Sequence, residues 1–183
     1  MKHFFYTIAA IALLSSCQMN KPVNSGNDMV AKNEQVTQRF YDEVINKHDI
    51  SKIDSFIAPS FVDHQTMSGK PETLNIDTLK AGMKGFFAMY PDVHYTVNFM
   101  LADSNTVMAD WTQTGTNTGM TVWGEPATNK SATVSGVDII KLKDGKAVEH
   151  WGYYEERREL GQLGMKVVMN DTTMMKKDMK KKK

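Results

Sequence analysis

Three side chains in this 183-residue chain have the types and settings for proton chemistry: Asp138, His64 and His150. Asp138 lies in Ser131 to Leu142, which alternates as a strand does, so Gly136, Asp138, Ile140 and Leu142 share one face. A carboxylate forced among apolar neighbours resists ionisation, and such a group suits the shuttling of protons at carbon. His64 follows Asp63 in the short extended segment Phe61 to His64. A histidine titrates near physiological pH and could serve there as acid or base; the alternative is a structural histidine tying the strand to a neighbouring loop. His150 shares a strand face with Val148, Gly152 and Tyr154. If Val148 marks the inward side, His150 looks toward Asp138. The opposite phase turns Glu149, Trp151 and Tyr153 inward and makes Trp151 a core residue.

These residues need a frame to hold them. Lys143-Asp144-Gly145-Lys146 between two alternating segments predicts a tight hairpin, because glycine tolerates the positive φ of such turns. Strands are predicted over Val93 to Ala102, Thr106 to Gly115, Ser131 to Leu142 and Ala147 to Tyr154. Ahead of them, Val36, Phe40 and Val44 recur every four residues with Tyr41 and Ile45 alongside, the apolar stripe of a helix from about Val30 to Lys47. Asp49 is placed to cap a short second helix carrying Ile50, Ile53 and Phe56 and ended by Pro59. Thr66 to Asn75 reads as loop, and Ile76, Leu79, Met83, Phe86 and Phe87 as a third helix that stops before Pro91. Helices first and a meandering sheet second is an α+β order. Thr116 to Lys130, with Gly119, Gly124 and Pro126, is too long for a tight turn and suits a lid over an apolar cavity. Trp111, Tyr90, Phe87 and Trp123 are the aromatic residues expected to bound that cavity, although large aromatics in a small domain more often serve as core.

The ordered set Phe61-Val62-Asp63-His64, Tyr90-Pro91-Asp92, Trp111 to Gly119, Gly124 to Thr128, the run Gly136 to Trp151 and the closing Leu160 to Gly164 resembles the SnoaL-like polyketide cyclases, also called ester cyclases, of the nuclear transport factor 2-like superfamily. The resemblance spans about Asn33 to Gly164. It implies a cone-shaped α+β fold with N-terminal helices packed in a curved antiparallel sheet, a pocket at the open end, and a homodimer. It further implies cofactor-independent acid/base chemistry on a small apolar carbonyl compound, with the histidine at the His64 motif lining the pocket. The family's aspartate after the His-Trp pair falls on Gly152, which has no side chain to donate a proton, and Asp138 on the neighbouring strand is the substitute. The alternative is a non-catalytic lipoprotein that binds a small apolar ligand in the same pocket.

Residues 1–17 read as a lipoprotein signal: Lys2, an apolar run from Phe4 to Leu14, then Leu14-Ser15-Ser16-Cys17. About eleven apolar residues are too few to span a bilayer core of about 30 Å. Residues 18–29 read as a flexible tether, 30–165 as the domain and 166–183 as a disordered lysine-rich tail. That places the protein in the bacterial cell envelope, held to the membrane through lipid on Cys17 and facing the periplasm or the exterior. Cys17 is the only cysteine, so neither an intramolecular disulfide nor a cysteine-based metal cage can form. His48, His64, His94 and His150 lack metal-ligand spacing on any one element, and no phosphate-binding glycine motif occurs, so no metal or cofactor is expected. The formal net charge is +1, but six lysines cluster after Met175 and the remaining body is acidic, which argues against nucleic acid as a partner. The lipid reading has a direct check: mass spectrometry of the mature protein is expected to find residue 17 at the N-terminus carrying acyl chains, and an unmodified chain beginning elsewhere refutes it.

Overall fold

The computed structural model describes residues 25–65, 72–122 and 124–165. The signal reading, Cys17, Trp123 and the lysine-rich tail lie outside them. Helix α1, Ser25–Phe40, begins inside the stretch read as tether and runs on into a wider π turn, Tyr41–Ile45. Asp49 caps the next turn, its side chain accepting from the Ser51 N–H at 3.2 Å. A 3₁₀ turn, Ile50–Lys52, leads into the single turn α2, Ile53–Phe56. Contrary to the sequence reading, Pro59 does not end this helix. It sits inside strand β1, Ile57–Asp63, where the pairing slips between Ile57 and Val62, and a residue without an N–H is tolerated at such an interruption. Strand β2, Glu72–Thr73, falls within the stretch read as loop. Helix α3, Ile76–Met89, starts at Asn75, whose side chain accepts from the Asp77 N–H, and stops ahead of Pro91 as predicted.

Four strands follow: β3, His94–Ala102; β4, Thr106–Thr116; β5, Ser131–Lys143; and β6, Lys146–Tyr154. The sheet order is β2-β1-β6-β5-β4-β3, one curved, unclosed sheet with the helices packed against it. Strands β3 to β6 form the expected antiparallel meander, whereas β1 joins β6 in parallel. The β5–β6 turn carries positive φ at both Asp144 and Gly145, 52° and 76°, as a two-residue hairpin requires. Helix α4, Glu156–Leu163, packs on β5 and was not legible as a helix.

The β5–β6 ladder contains a bulge that changes which residues face the helices. Lys141 pairs with Glu149 and Leu142 with Ala147, leaving Val148 as the extra residue. Ala147 and His150 therefore both face the helices although three positions apart, and Val148 is not the inward marker assumed from strict alternation.

Buried Trp111 shares a core cluster with Tyr41, Ala109 and Val134. Its indole lies flat over Gly136, its register partner on β5, where any Cβ would collide with the ring. Gly136→Val should therefore displace Trp111 and destabilise by about 1–3 kcal/mol, as overpacking does. Urea unfolding checks this; an unchanged midpoint contradicts the packing described.

Candidate functional site

Between the helices and the sheet lies a cavity of about 690 Å³, walled by apolar side chains including Phe40, Phe56, Phe61, Met83 and Phe86. This is the size range of a small-molecule site. The segment after β4 reaches it through Val122. The base of that segment is fixed by Asn117, fully buried, which donates to the Gly119 carbonyl at 2.8 Å and accepts from the Thr128 N–H at 2.7 Å.

A hydrogen-bonded row crosses one wall. The π turn presents Tyr41, whose hydroxyl donates to Asp138 Oδ2 at 2.6 Å. His150 Nε2 lies 3.3 Å from Asp138 Oδ1, and His150 Nδ1 lies 3.1 Å from Asp63 Oδ1. The parallel β1–β6 register sets Asp63 beside His150, and the antiparallel ladder sets Asp138 on the adjacent strand opposite Gly152. Asp63, Asp138 and His150 all line the cavity. Because the carboxylates meet opposite ring nitrogens, the three share no common point, and among the described residues no group of acids, histidines and cysteines is arranged to hold a metal ion.

Burial on its own pushes the His150 imidazole down, but the hydrogen bonds and charges of Asp138 and Asp63 outweigh it and raise its pKa from 6.5 to about 9. That favours an imidazolium at neutral pH, with Nδ1 hydrogen-bonded to Asp63 and Nε2 at ion-pair distance from Asp138. The Tyr41 hydroxyl is held well above its ordinary range, first by burial and then by the Asp138 charge, so it remains a neutral donor. A carboxylate offers about four acceptor sites. Tyr41 and His150 occupy two of those on Asp138, which leaves it capacity to take a proton. Among the described residues no lysine or arginine lines the cavity.

The residues singled out from sequence divide clearly. Asp138, His150, Trp111 and Tyr90 line the cavity; Trp111 Nε1 is buried without a hydrogen-bond partner. His64 does not line it. Successive strand residues point to opposite faces, so with Asp63 inward His64 turns outward. There its ring stacks on Trp151 at 4.1 Å, and Nε2 meets Glu149 at 3.0 Å. Lys141 pairs with the same Glu149 and lies over the Trp151 ring. Trp151 is thus neither inward nor core. Phe87 also misses the cavity: it packs against the His48 ring at 4.5 Å, and Phe86, one helical step away, takes the lining position. Sequence reasoning missed Tyr41, Asp63 and Gln65 as site residues. Phe61, buried two residues before Asp63, was the available signal for the first carboxylate. Gly152 leaves the space that a side chain there would fill, and the Gln65 amide occupies it beside His150.

Residues 35–163, more than half of the chain, match the family model for SnoaL-like polyketide cyclases. The chain belongs to that family. No protein of curated function matches it by sequence. Among solved structures the SnoaL-like chain is similar to TsrD from Streptomyces laurentii, 21% identical, TM-score 0.65, over 73% of this chain and 96% of that one. It is similar also to AclR from Streptomyces galilaeus, 24% identical, TM-score 0.64, over 74% and 97% of the two chains. A SnoaL-like polyketide cyclase from Agrobacterium tumefaciens is 13% identical, TM-score 0.61, over 72% and 98%. At these identities the likeness is one of fold.

The raised His150 pKa links this site to stability. A histidine held above its ordinary 6.5 contributes stabilisation that is full below about pH 6.5 and is lost as pH rises through about 9. Asp63→Asn should lower the His150 pKa and flatten that decline. Imidazole titration by NMR, with urea midpoints at several pH values, reads both effects; an unmoved His150 pKa contradicts the assigned pairing.

Proposed function

We propose that this SnoaL-like protein removes a proton from carbon next to the carbonyl of a small apolar compound, with Asp138 as the base and no cofactor. The observation that carries the reading is an acceptor carboxylate on the wall of an apolar cavity, held from both sides by the Tyr41 hydroxyl and the His150 imidazolium. Two donors on one carboxylate fix its orientation, and positioning of that kind is a large part of general-base catalysis. As the proton leaves carbon, charge grows on the carbonyl oxygen. A preorganised donor at that oxygen acts most strongly in an apolar setting such as this wall. The negative charge passes from Asp138 to the carbonyl oxygen as the proton leaves carbon, and returning that proton to carbon or oxygen of the product restores the Asp138 carboxylate. Ring closure, isomerisation and hydrolysis share this first step. The reading includes a lipid-anchored protein of the bacterial envelope and a homodimer; exposed Phe99 and Leu101 on β3 give the second an apolar surface.

Gly152 favours a second reading, in which the same cavity binds its ligand without turning it over, because the position that matches the family's acid/base here has no side chain. Among the described residues no helix is long and apolar enough to cross a membrane, which is compatible with either reading.

Exchange of the α-protons of 2-tetralone in D2O, followed by NMR, separates the two. The wild type is expected to accelerate exchange, and Asp138→Asn to lose a factor of about 10²–10⁴ while its circular dichroism spectrum shows it still folded. Equal exchange by both proteins removes Asp138 as the base. Binding of 2-tetralone without any exchange leaves the binding reading standing.

A further inference from the structure

One buried acid in the cavity takes no part in the row around Asp138. Glu159 projects from α4, is 4% exposed and lines the cavity. Its Oε1 accepts from the Tyr90 hydroxyl at 2.6 Å, and the Tyr154 hydroxyl lies against the same carboxyl. Tyr90 and Tyr154 line the cavity with it. No salt bridge among the described residues reaches Glu159, and the charge that acts on it is that of Glu156, a like charge. A carboxylate buried without a cation is costly, and such groups neutralise by holding a proton.

We propose that Glu159, Tyr90 and Tyr154 form a second polar station in the cavity, where a protonated Glu159 donates a hydrogen bond to an oxygen of the ligand remote from the carbon that Asp138 deprotonates. The proposal rests on the carbonyl-compound reading above and narrows it. The ligand is an uncharged, largely apolar molecule with acceptor oxygens at two separated places. Three features of the wall argue for this class. Glu159 and Asp138 belong to separate hydrogen-bond groups, the first reached from Tyr90 and Tyr154 and the second from Tyr41 and His150. Between these groups the wall is aromatic: Tyr41 stacks on Tyr95, which tilts onto Trp111 at 4.9 Å. No lysine or arginine is among the described lining residues, and His150 is already held by two carboxylates, which disfavours a carboxylate or phosphate ligand.

The same surroundings favour the protonated form. Burial raises the Glu159 pKa from 4.5, and it outweighs the opposing hydrogen bonds from Tyr90 and Tyr154. With one oxygen accepting from Tyr90, the proton on a neutral carboxyl is free to point at a ligand. Glutamine in its place keeps a donor of the same reach and loses the titration. Leucine keeps the apolar volume and loses the donor.

The test compares two neutral probes, 2-acetylnaphthalene with one acceptor and 2,6-diacetylnaphthalene with two, by quenching of tryptophan fluorescence. In the wild type the diacetyl compound should bind about tenfold tighter, the worth of one well-made hydrogen bond. Glu159→Gln should keep that ratio and Glu159→Leu should bring it close to one. Raising the pH should erode the ratio in the wild type and leave it untouched in Glu159→Gln. The infrared spectrum of the ligand-free wild type near neutral pH should show a protonated-carboxyl stretch that Glu159→Gln removes. A ratio unchanged in Glu159→Leu, no binding of either probe, or no such stretch overturns the proposal. If Glu159→Leu fails to fold, the pH dependence of the wild type against Glu159→Gln decides alone. Failure here is distinct from failure of the Asp138 reading, because the ratio of the two probes is read from binding without turnover, whereas the Asp138 reading is judged by α-proton exchange of 2-tetralone in Asp138→Asn.

Discussion

The placement of His150 between two carboxylates organises the functional half of this molecule. An imidazole in a largely apolar wall would ordinarily be neutral, since burial disfavours its charge. Here Asp63 on one nitrogen and Asp138 on the other reverse that preference and hold it as a cation. Three strands must be in correct register for this to happen. β1 must lie parallel on β6, β5 antiparallel on its other side, and the bulge at Val148 must rotate the end of β6 by one position. Tyr41 then ties the row to the helical layer across 97 residues of sequence. The cluster also depends on register, because a slip of one strand would leave a part-buried ion without its partner.

Much of the frame could be read from local pattern. Strand limits for β3 to β6 fell within a residue or two of those observed, because two-residue alternation and the Asp144-Gly145 turn are strong signals. Helix α3 and its stop were legible from the spacing of Ile76, Leu79, Met83 and Phe86 and from Pro91. Helix α4 was not: Glu156 to Leu163 carries two arginines and two glutamates in eight residues, and only Leu163 and Glu159 are buried. A one-sided helix of one buried leucine and one buried acid presents no apolar stripe to find.

Within the site, what failed was the step from alternation to side. Asp138 and His150 were assigned to the cavity face, yet the argument for His150 leaned on Val148, which the bulge takes out of the ladder. His64 drew attention because histidine titrates in the useful range, and strand parity then sent it outward onto Trp151 while the neighbouring Asp63 turned inward. Tyr41 and Glu159 become visible only when elements far apart in sequence meet. Neither has a local spacing that marks it, and both are recognised by what their polar atoms touch once the chain is folded.

The exchange at Gly152 has an architectural consequence. In a sheet-lined pocket, a side chain on a central strand is tied to the pleat, so its reach and angle are fixed by the twist of that strand. Here the corresponding volume is filled from the end of β1 by Gln65, whose backbone lies outside the β1–β6 pairing that aligns Asp63 with His150. The cavity's contour beside His150 is therefore set in part by the Gln65 side chain, which is outside the row Tyr41, Asp138, His150 and Asp63 although its backbone N–H donates to Asp63. Shorter or longer side chains at position 65 would retune the contour of the pocket while the hydrogen-bonded row stays in place, a division of labour through which one scaffold can come to accept different skeletons.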